Sequence, residues 1–351
     1  GNYTNKGNST FTNKGSKGLT ISGTVDNAGN LLLDNSAAAL TVDGNVINNG
    51  NLTVKNTGSK GLLVNGTSSN KNGSSTYTNE SGALLVNGTV SNNGTKLTMT
   101  NTGSGLKISS TGKVENIGEL AMSNSGADGL IIAGSVNNQG TANVTNTGTG
   151  ELLVSGNYTN KGNSTFTNKG AKGLTIGGSV NNNGKLLFDN SAASLTVNGT
   201  VTNTGELTAA NSGANGILVN GTITNSTGTA TLTNTGAKGI TVADTAKVTN
   251  KDNAVNLNNT GKSGIIVKGS VKGKGINIDN SNSNVVIGYN SGKDYLTSTS
   301  DVNINIKDGS LLNYGTKSNL IKADKNLNID LEILTIGLVV GNFVDGVFTG
   351  V

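Results

Sequence analysis

The stretch GLTISGTVDNAGNLLLDNS, residues 18–36, decides the fold of this chain. Apolar and polar residues alternate in three short runs, and Gly or Asn turns separate the runs. Alternation with a period of two is typical of β-strands. One side of the three runs carries Leu19 and Ile21, then Val25 and Asn27, then Leu31, Leu33 and Asn35. A Ser/Ala corner follows, and the pattern begins again at Leu40.

This unit repeats about every 22 residues along most of the chain. Its anchor is an aliphatic residue that opens the first run, at Leu19, Leu40, Leu62, Leu84, Leu106, Leu130, Leu152, Leu174, Leu195, Ile217, Ile240 and Ile265. A fixed period of this length predicts a solenoid. Because each run occurs once per unit, like runs stack on like runs. The predicted fold is all-β: a right-handed parallel β-helix with about 22 residues and three short strands per coil, which form three parallel sheets.

The repeat also predicts the domain organisation. Residues 1–67 match residues 156–222 at most positions, and GNYTNKGNSTFTNKG stands at both starts, so a seven-coil block is duplicated. We predict a regular β-helix over residues 1–290. The pattern weakens after about residue 270, and residues 291–351 are predicted to form degenerate terminal coils, a cap or the entry to a following domain. Since the chain starts in mid-repeat, we expect it to be a segment of a longer protein.

Two positions of each unit are Asn almost throughout. The series in the second run includes Asn27, Asn48, Asn92, Asn116, Asn138, Asn160 and Asn182, and the series in the third run includes Asn35, Asn56, Asn101, Asn124, Asn146, Asn168 and Asn190. Stacked coils lie about 4.8 Å apart, so side-chain amides can hydrogen-bond along a column. An amide carries donors and an acceptor, and a column can satisfy itself. The alternative is that Asn tolerates a left-handed corner conformation. Both interpretations are structural.

Composition argues against several classes of function. The chain has no Cys, His, Trp or Arg, and its 25 basic residues give a net charge of only +5. Thiol chemistry, His-dependent nucleophiles and Arg-dependent lyase mechanisms are therefore excluded, and nucleic acid is not an expected partner. The third-run acids Asp34 and Asp189 stand seven coils apart, too far for paired acid and base catalysis. We expect no enzyme activity, no metal site and no cofactor.

Outward positions of the first run carry a row of apolar residues. The candidate binding residues are Leu63, Leu85, Ile131 and Leu153; Leu218 and Ile266 stand at the same position, and other coils carry Thr or Lys there. Neighbouring apolar side chains on a solenoid surface could form an interaction patch. The alternatives are that a flanking segment covers the row, or that scattered surface Leu has no function.

The Gly-x-Val-x-Asn-x-Gly-x-Leu-x-Val-x-Asn-x-Gly coils, with Asn-rich turns and no Cys, resemble the passenger domains of large Gram-negative autotransporter adhesins. They also resemble the filamentous-haemagglutinin family of secreted adhesins, and the resemblance covers residues 1–290. It implies a β-helical stalk exported through an outer-membrane β-barrel and displayed outside the bacterial cell. It also implies a virulence role in attachment to a protein or glycan of host cells or other bacteria, with possible lateral self-association.

No functional residue is carried over from either family, because the shared repeats specify the fold. Two alternatives stay open. The first is a structural spacer or filament-forming surface protein without its own ligand site, and the second, more remote, is a polysaccharide-acting β-helix enzyme.

Overall fold

The protein is built from β-strands and tight turns in the computed structural model, which describes residues 1–288, 295–313, 321–332, 341–344 and 347–350. None of these residues is helical. The chain divides into two compact units, one made of Gly1–Lys172 and Gly178–Asn181, the other of Gly173–Gly177 and Asn182–Val351. Each unit is a parallel β-solenoid with about 22 residues per turn.

The strands of the first unit follow in chain order. They are β1 (Tyr3–Asn5), β2 (Ser9–Asn13), β3 (Leu19–Ile21), β4 (Thr24–Asn27), β5 (Leu31–Asn35), β6 (Ala39–Val42), β7 (Asn45–Asn48), β8 (Leu52–Asn56), β9 (Gly61–Val64), β10 (Thr67–Asn70), β11 (Ser74–Asn79), β12 (Leu84–Val86), β13 (Thr89–Asn92), β14 (Lys96–Asn101), β15 (Gly105–Ile108), β16 (Lys113–Asn116), β17 (Glu119–Asn124), β18 (Gly129–Ile132), β19 (Ser135–Asn138), β20 (Ala142–Asn146), β21 (Leu152–Val154), β22 (Asn157–Asn160) and β23 (Ser164–Asn168).

The second unit begins with β24 (Leu174–Ile176), and β25 (Ser179–Asn182) ends in it. Its other strands are β26 (Leu186–Asn190), β27 (Ser194–Val197), β28 (Thr200–Asn203), β29 (Leu207–Asn211), β30 (Gly216–Val219), β31 (Thr222–Asn225), β32 (Ala230–Asn234), β33 (Ile240–Val242), β34 (Lys247–Asn259), β35 (Ile265–Val267), β36 (Ser270–Ser281), β37 (Val285–Ile287), β38 (Leu296–Ser298), β39 (Val302–Lys307), β40 (Leu311–Asn313), β41 (Ile321–Ala323), β42 (Leu327–Glu332), β43 (Gly341–Val344) and β44 (Val347–Gly350).

Strands pair in parallel with the equivalent strand one coil away, and the register is that of the sequence repeat. In the first unit, Leu62 of β9 pairs with Leu84 of β12, and Asn79 of β11 pairs with Asn101 of β14. First-run strands form one sheet of their own. The repeat therefore fixes which residues share a column, because a slip by one residue would turn the apolar set outward.

Two long strands join the second and third runs in the second unit. In the second unit, β34 and β36 are 13 and 12 residues long and run through both the second and the third position of their coils. Through these two strands the second-run and third-run strands are connected within one sheet, and the first-run strands form the other. The cause is local, since the pairing of β34 with β36 shifts register between Asn250 and Ala254, where extended chain replaces a tight turn.

The parallel winding changes near the end of the chain. Strands β43 and β44 pair antiparallel, and β44 meets β41 antiparallel at Lys322 and Val347. The predicted terminal region, 291–351, lies partly outside the described residues, because the structure describes none of 291–294, 314–320, 333–340, 345–346 or 351.

The core of each unit is a stack of inward aliphatic residues, with a few aromatic residues balanced by small neighbours. Tyr77 occupies the position that Val54 and Met99 hold in the adjacent coils. Ser75 occupies the position that Leu52 and Leu97 hold there. Tyr77 is 1% exposed, and its hydroxyl hydrogen-bonds to the hydroxyl of Ser68. The large side chain of Tyr77 together with the small side chains of Ser68 and Ser75 preserves the packed volume of the coil.

Glycine at the corners allows consecutive coils to approach closely. A Cβ added at Gly126 would lie 1.9 Å from the carbonyl oxygen of Gly103. At Gly61 the backbone has φ of 86°, a conformation that side chains with a Cβ rarely adopt. Corner glycines are thus required by stacking, whereas the turn at Gly7 has open space around it.

Candidate functional site

The second-run asparagines of the first unit form a continuous hydrogen-bonded column. Each Nδ2 donates to the Oδ1 of the asparagine one coil further along, at 2.6–2.8 Å from Asn27 to Asn160. These residues are almost fully buried: Asn27, Asn48, Asn70, Asn92, Asn116, Asn138 and Asn160. In the second unit the same arrangement links Asn182, Asn203, Asn225 and Asn250.

The third-run asparagines form a second column. In the first unit the Nδ2 to Oδ1 distances are 2.7–3.0 Å through Asn13, Asn35, Asn56, Asn79, Asn101, Asn124, Asn146 and Asn168. In the second unit the column links Asn190, Asn211, Asn234, Asn259 and Asn280. All of these amides donate in the same chain direction, so their dipoles add along each column.

Each column also holds the corner that follows it. The Nδ2 of Asn56 donates to the carbonyl of Gly58 at 2.9 Å, and the Nδ2 of Asn124 donates to that of Gly126 at 3.0 Å. Among the described non-glycine residues, positive φ occurs at Ala38, Ala193, Asn282 and Asp308, and none of these is a column residue. The column asparagines therefore act on the corner through their side chains, and a left-handed backbone is not the reason for Asn at these positions.

The outward apolar row lies on the sheet of first-run strands. Leu63 pairs in register with Leu85, and Ile131 pairs with Leu153. Lys107 stands between the two pairs, directly beside Leu85 and Ile131. The four apolar side chains are partly exposed, and Lys107 is exposed. The structure thus brings the candidate residues onto one face as two apolar pairs that flank a cation.

A similar run lies in the second unit, where sequence reasoning identified Ile266 but missed Val286 and Leu312. Ile266 pairs with Val286, and Val286 pairs with Leu312, all at the outward position and all partly exposed. The signal was the alternation of the three strands, but the weakened repeat after residue 270 hid the register.

Described carboxylates lie beside lysines in both units. Within the first unit, Asp34 pairs in register with Lys55, and Glu119 lies 2.9 Å from the Nζ of Lys96. In the second unit, a carboxylate oxygen of Glu206 lies 3.2 Å from the Nζ of Lys185. Within the described ranges, no group of three or more Asp or Glu residues could hold a metal ion.

Burial perturbs two tyrosines that belong to the core. Desolvation raises the pKa of Tyr77 to about 12, against the effect of its hydrogen bond to Ser68. Desolvation also raises the pKa of Tyr158, whose hydroxyl lies 2.7 Å from that of Ser164. Because both rings are enclosed, these hydroxyls serve packing and are not accessible to a ligand.

A second polar surface, missed at the sequence level, lies on the outside of β34, β36, β39 and β42. It carries paired columns of Asn and Asp residues and a recess of about 530 Å³ lined by Asn303, Ile304, Asn305, Leu327, Asn328, Ile329 and Asp330. Asn is so common in this chain that composition could not separate the outward residues from the buried columns. Only their burial in the structure distinguishes them.

No helix long and apolar enough to cross a membrane occurs in the part of the chain that the structure describes. Comparisons with protein-family models, with curated proteins and with solved structures found no match to this chain.

Proposed function

We propose that this chain is the stalk-like passenger of a secreted bacterial adhesin, displayed outside the cell and used for attachment to host cells or other bacteria. The observation that carries the proposal is the outward row, Leu63–Leu85 and Ile131–Leu153, on a repetitive scaffold whose inward asparagines are hydrogen-bonded to one another. Apolar side chains at regular spacing on a polar surface favour contact with another protein.

The proposal includes the details of the winding and the route to the surface. The coil is a right-handed turn with three strands, the hand preferred by parallel crossovers. Export proceeds through an outer-membrane β-barrel, as in the adhesins that the repeats resemble. The partner is a surface protein or glycan of the target cell, and lateral contact between copies uses the same face.

Lys107 makes the outward row more selective than a purely apolar stripe. A partner that covers Leu85 and Ile131 must also pair or solvate the exposed ammonium group between them. Partners with a carboxylate or carbonyl flanked by apolar groups fit this arrangement, and entirely apolar surfaces do not.

The experiment compares cell attachment of the purified chain with a quadruple variant, L63T/L85T/I131T/L153T. Threonine keeps the strand propensity and appears at the same outward position in Thr20 and Thr41. The matched control, L32T/I47T/I117T/L187T, removes the same number of apolar side chains from positions away from this face. Attachment should fall in the first variant and persist in the control.

Unchanged attachment in the first variant would remove the row as the adhesive surface. Unchanged lateral association of the same variant in light scattering would show that the row is not a contact between copies either. Those two results together would favour the alternative of a spacer without its own ligand site.

A further inference from the structure

The outside of the third-run strands changes character within the second unit. At the two outward positions, β29 carries Thr208 and Ala210, and β32 carries Thr231 and Thr233. The next four strands of the third run are β34, β36, β39 and β42. In that order they carry Asn256 and Asn258, Asn277 and Asp279, Asn303 and Asn305, and Asn328 and Asp330. These eight residues are named the Asn–Asp face.

The first column of the Asn–Asp face is held in a fixed orientation. Asn277 donates to Asn256, Asn303 donates to Asn277, and each of these Nδ2 to Oδ1 distances is 2.8 Å. Asn328 continues the column by donating to Asn303 at 2.8 Å. Each internal amide uses one N–H and one lone pair in the column, so one N–H and one lone pair still point to solvent. A fixed array of donors and acceptors binds a ligand at a lower entropic cost than free side chains.

The second column has no equivalent structural explanation. It contains Asn258, Asp279, Asn305 and Asp330, and its one amide–carboxylate contact joins Asn305 to Asp279 at a long 3.4 Å. Asp and Asn are disfavoured in strands, and Thr or Ala fills the same position one and two coils earlier. A local preference that is broken without gain in packing points to a function.

Part of the face borders two recesses. The recess of about 530 Å³ and a second recess of about 230 Å³, lined by Asn253, Ala254, Lys274, Gly275, Ser300 and Asp301, share Asn303 in their linings. The larger recess alone has the volume of a small-molecule site. Two recesses that share a residue suit a chain-like ligand that occupies both.

The chemistry of the face selects among chain-like ligands. Amides and carboxylates at the spacing of the coils match a ligand that offers hydroxyl donors and acceptors repeatedly. Asp279 and Asp330 are exposed and disfavour anionic ligands such as nucleic acid or acidic polysaccharide. We propose that the Asn–Asp face is a binding groove for a neutral glycan chain. The proposal does not rest on the outward apolar row, which lies on the other sheet.

The test measures binding of the full chain to a panel of neutral hexasaccharides of glucose, mannose, galactose and N-acetylglucosamine, with oligogalacturonate as the anionic comparison. Calorimetry and saturation-transfer NMR in EDTA exclude a bridging cation. Two variants, N303T/N328T and D279T/D330T, place at these positions the residue that β32 has. The matched control is N198T/N220T, which removes an exposed amide pair, 2.8 Å apart, elsewhere in the unit.

At least one neutral hexasaccharide should bind the parent chain, and its affinity should fall about ten-fold or more in both face variants but not in the control. The quadruple row variant should bind the glycan as the parent does, so this result is independent of the adhesive row. No binding to any neutral member at millimolar concentration, equal binding by the face variants, or preference for oligogalacturonate would each overturn the proposal.

Discussion

Replacing Asn101 with Leu tests whether the buried columns hold the coils together. The Oδ1 of Asn101 accepts from Asn79 at 2.7 Å, and its Nδ2 donates to Asn124 at 2.8 Å. Leucine removes both bonds. The Nδ2 of Asn79 keeps its bond to the carbonyl of Gly82 at 3.0 Å, but the buried Oδ1 of Asn124 loses the donor from Asn101.

The expected cost follows from these contacts. An unsatisfied buried carbonyl costs about 1–3 kcal/mol, and each lost hydrogen bond costs about 1 kcal/mol. The shape of Leu offsets a part of this, so we expect a loss of about 2–4 kcal/mol in the free energy of unfolding. Guanidinium titration followed by far-ultraviolet circular dichroism measures it, with equal slopes required for a valid comparison. The control is N143L, because Asn143 is exposed on the outward side of β20.

A double variant sharpens the test. N101L/N124L breaks three column bonds instead of two, yet it still leaves only one donor end and one acceptor end, now at Asn79 and Asn146. Its cost should therefore be clearly less than the sum of the two single variants, a coupling that independent sites do not show. An unfolding midpoint for N101L equal to that of N143L, or strict additivity in the double variant, would refute the idea that the hydrogen-bonded columns stabilise the stacked coils.

Three further predictions concern the same scaffold. Deleting residues 1–155, one seven-coil block, should leave strand content per residue unchanged in circular dichroism, since solenoid stability is a sum of neighbour terms; global unfolding would contradict this. G126A should lower stability by about 1–3 kcal/mol in denaturant titration, because its Cβ meets the Gly103 carbonyl at 1.9 Å, whereas G7A should be neutral. Burial raises the pKa of Tyr77 from 10.0 to about 12 in the folded chain. The protonated hydroxyl therefore contributes its full share of the folding stability below pH 10, and this contribution is lost as the pH rises through 12. The total loss is about 3 kcal/mol. Y77F should therefore lose less stability than the parent over this interval in pH-dependent denaturation, and equal losses would contradict the assignment.

The sequence predicts most of this architecture because one residue type fills each column. Leu62 and Leu84 occupy the same phase of the repeat, and the structure pairs them. The sequence could not predict the two long strands that join the second and third runs, since these depend on whether the chain between Asn250 and Ala254 turns or stays extended. The choice between hydrogen-bonded columns and left-handed corners for the asparagines was equally inaccessible, because both interpretations use the same residue at the same spacing.

The candidate surfaces were less predictable than the fold. Leu63 and Leu85 were identifiable because they interrupt a polar alternation, and their register follows from the repeat. Val286 and Leu312 occupy equivalent positions but follow a stretch where the spacing changes. The Asn–Asp face was hidden for another reason: outward Asn303 and inward Asn280 look alike until burial separates them.

Burial also separates two uses of the same amide. The inward columns end at Asn250 and Asn280, where the next coils place Gly273 and Ile306 at the paired positions. Stacking continues beyond both points, with aliphatic contacts such as Ile306 on Leu331 in place of the amides. In those coils water competes with the exposed hydrogen bond between Asn328 and Asn303, so this bond adds little to the stability of the fold. Outward asparagines therefore continue in coils that no longer have inward column asparagines. This favours recognition over stacking as the role of the outward asparagines.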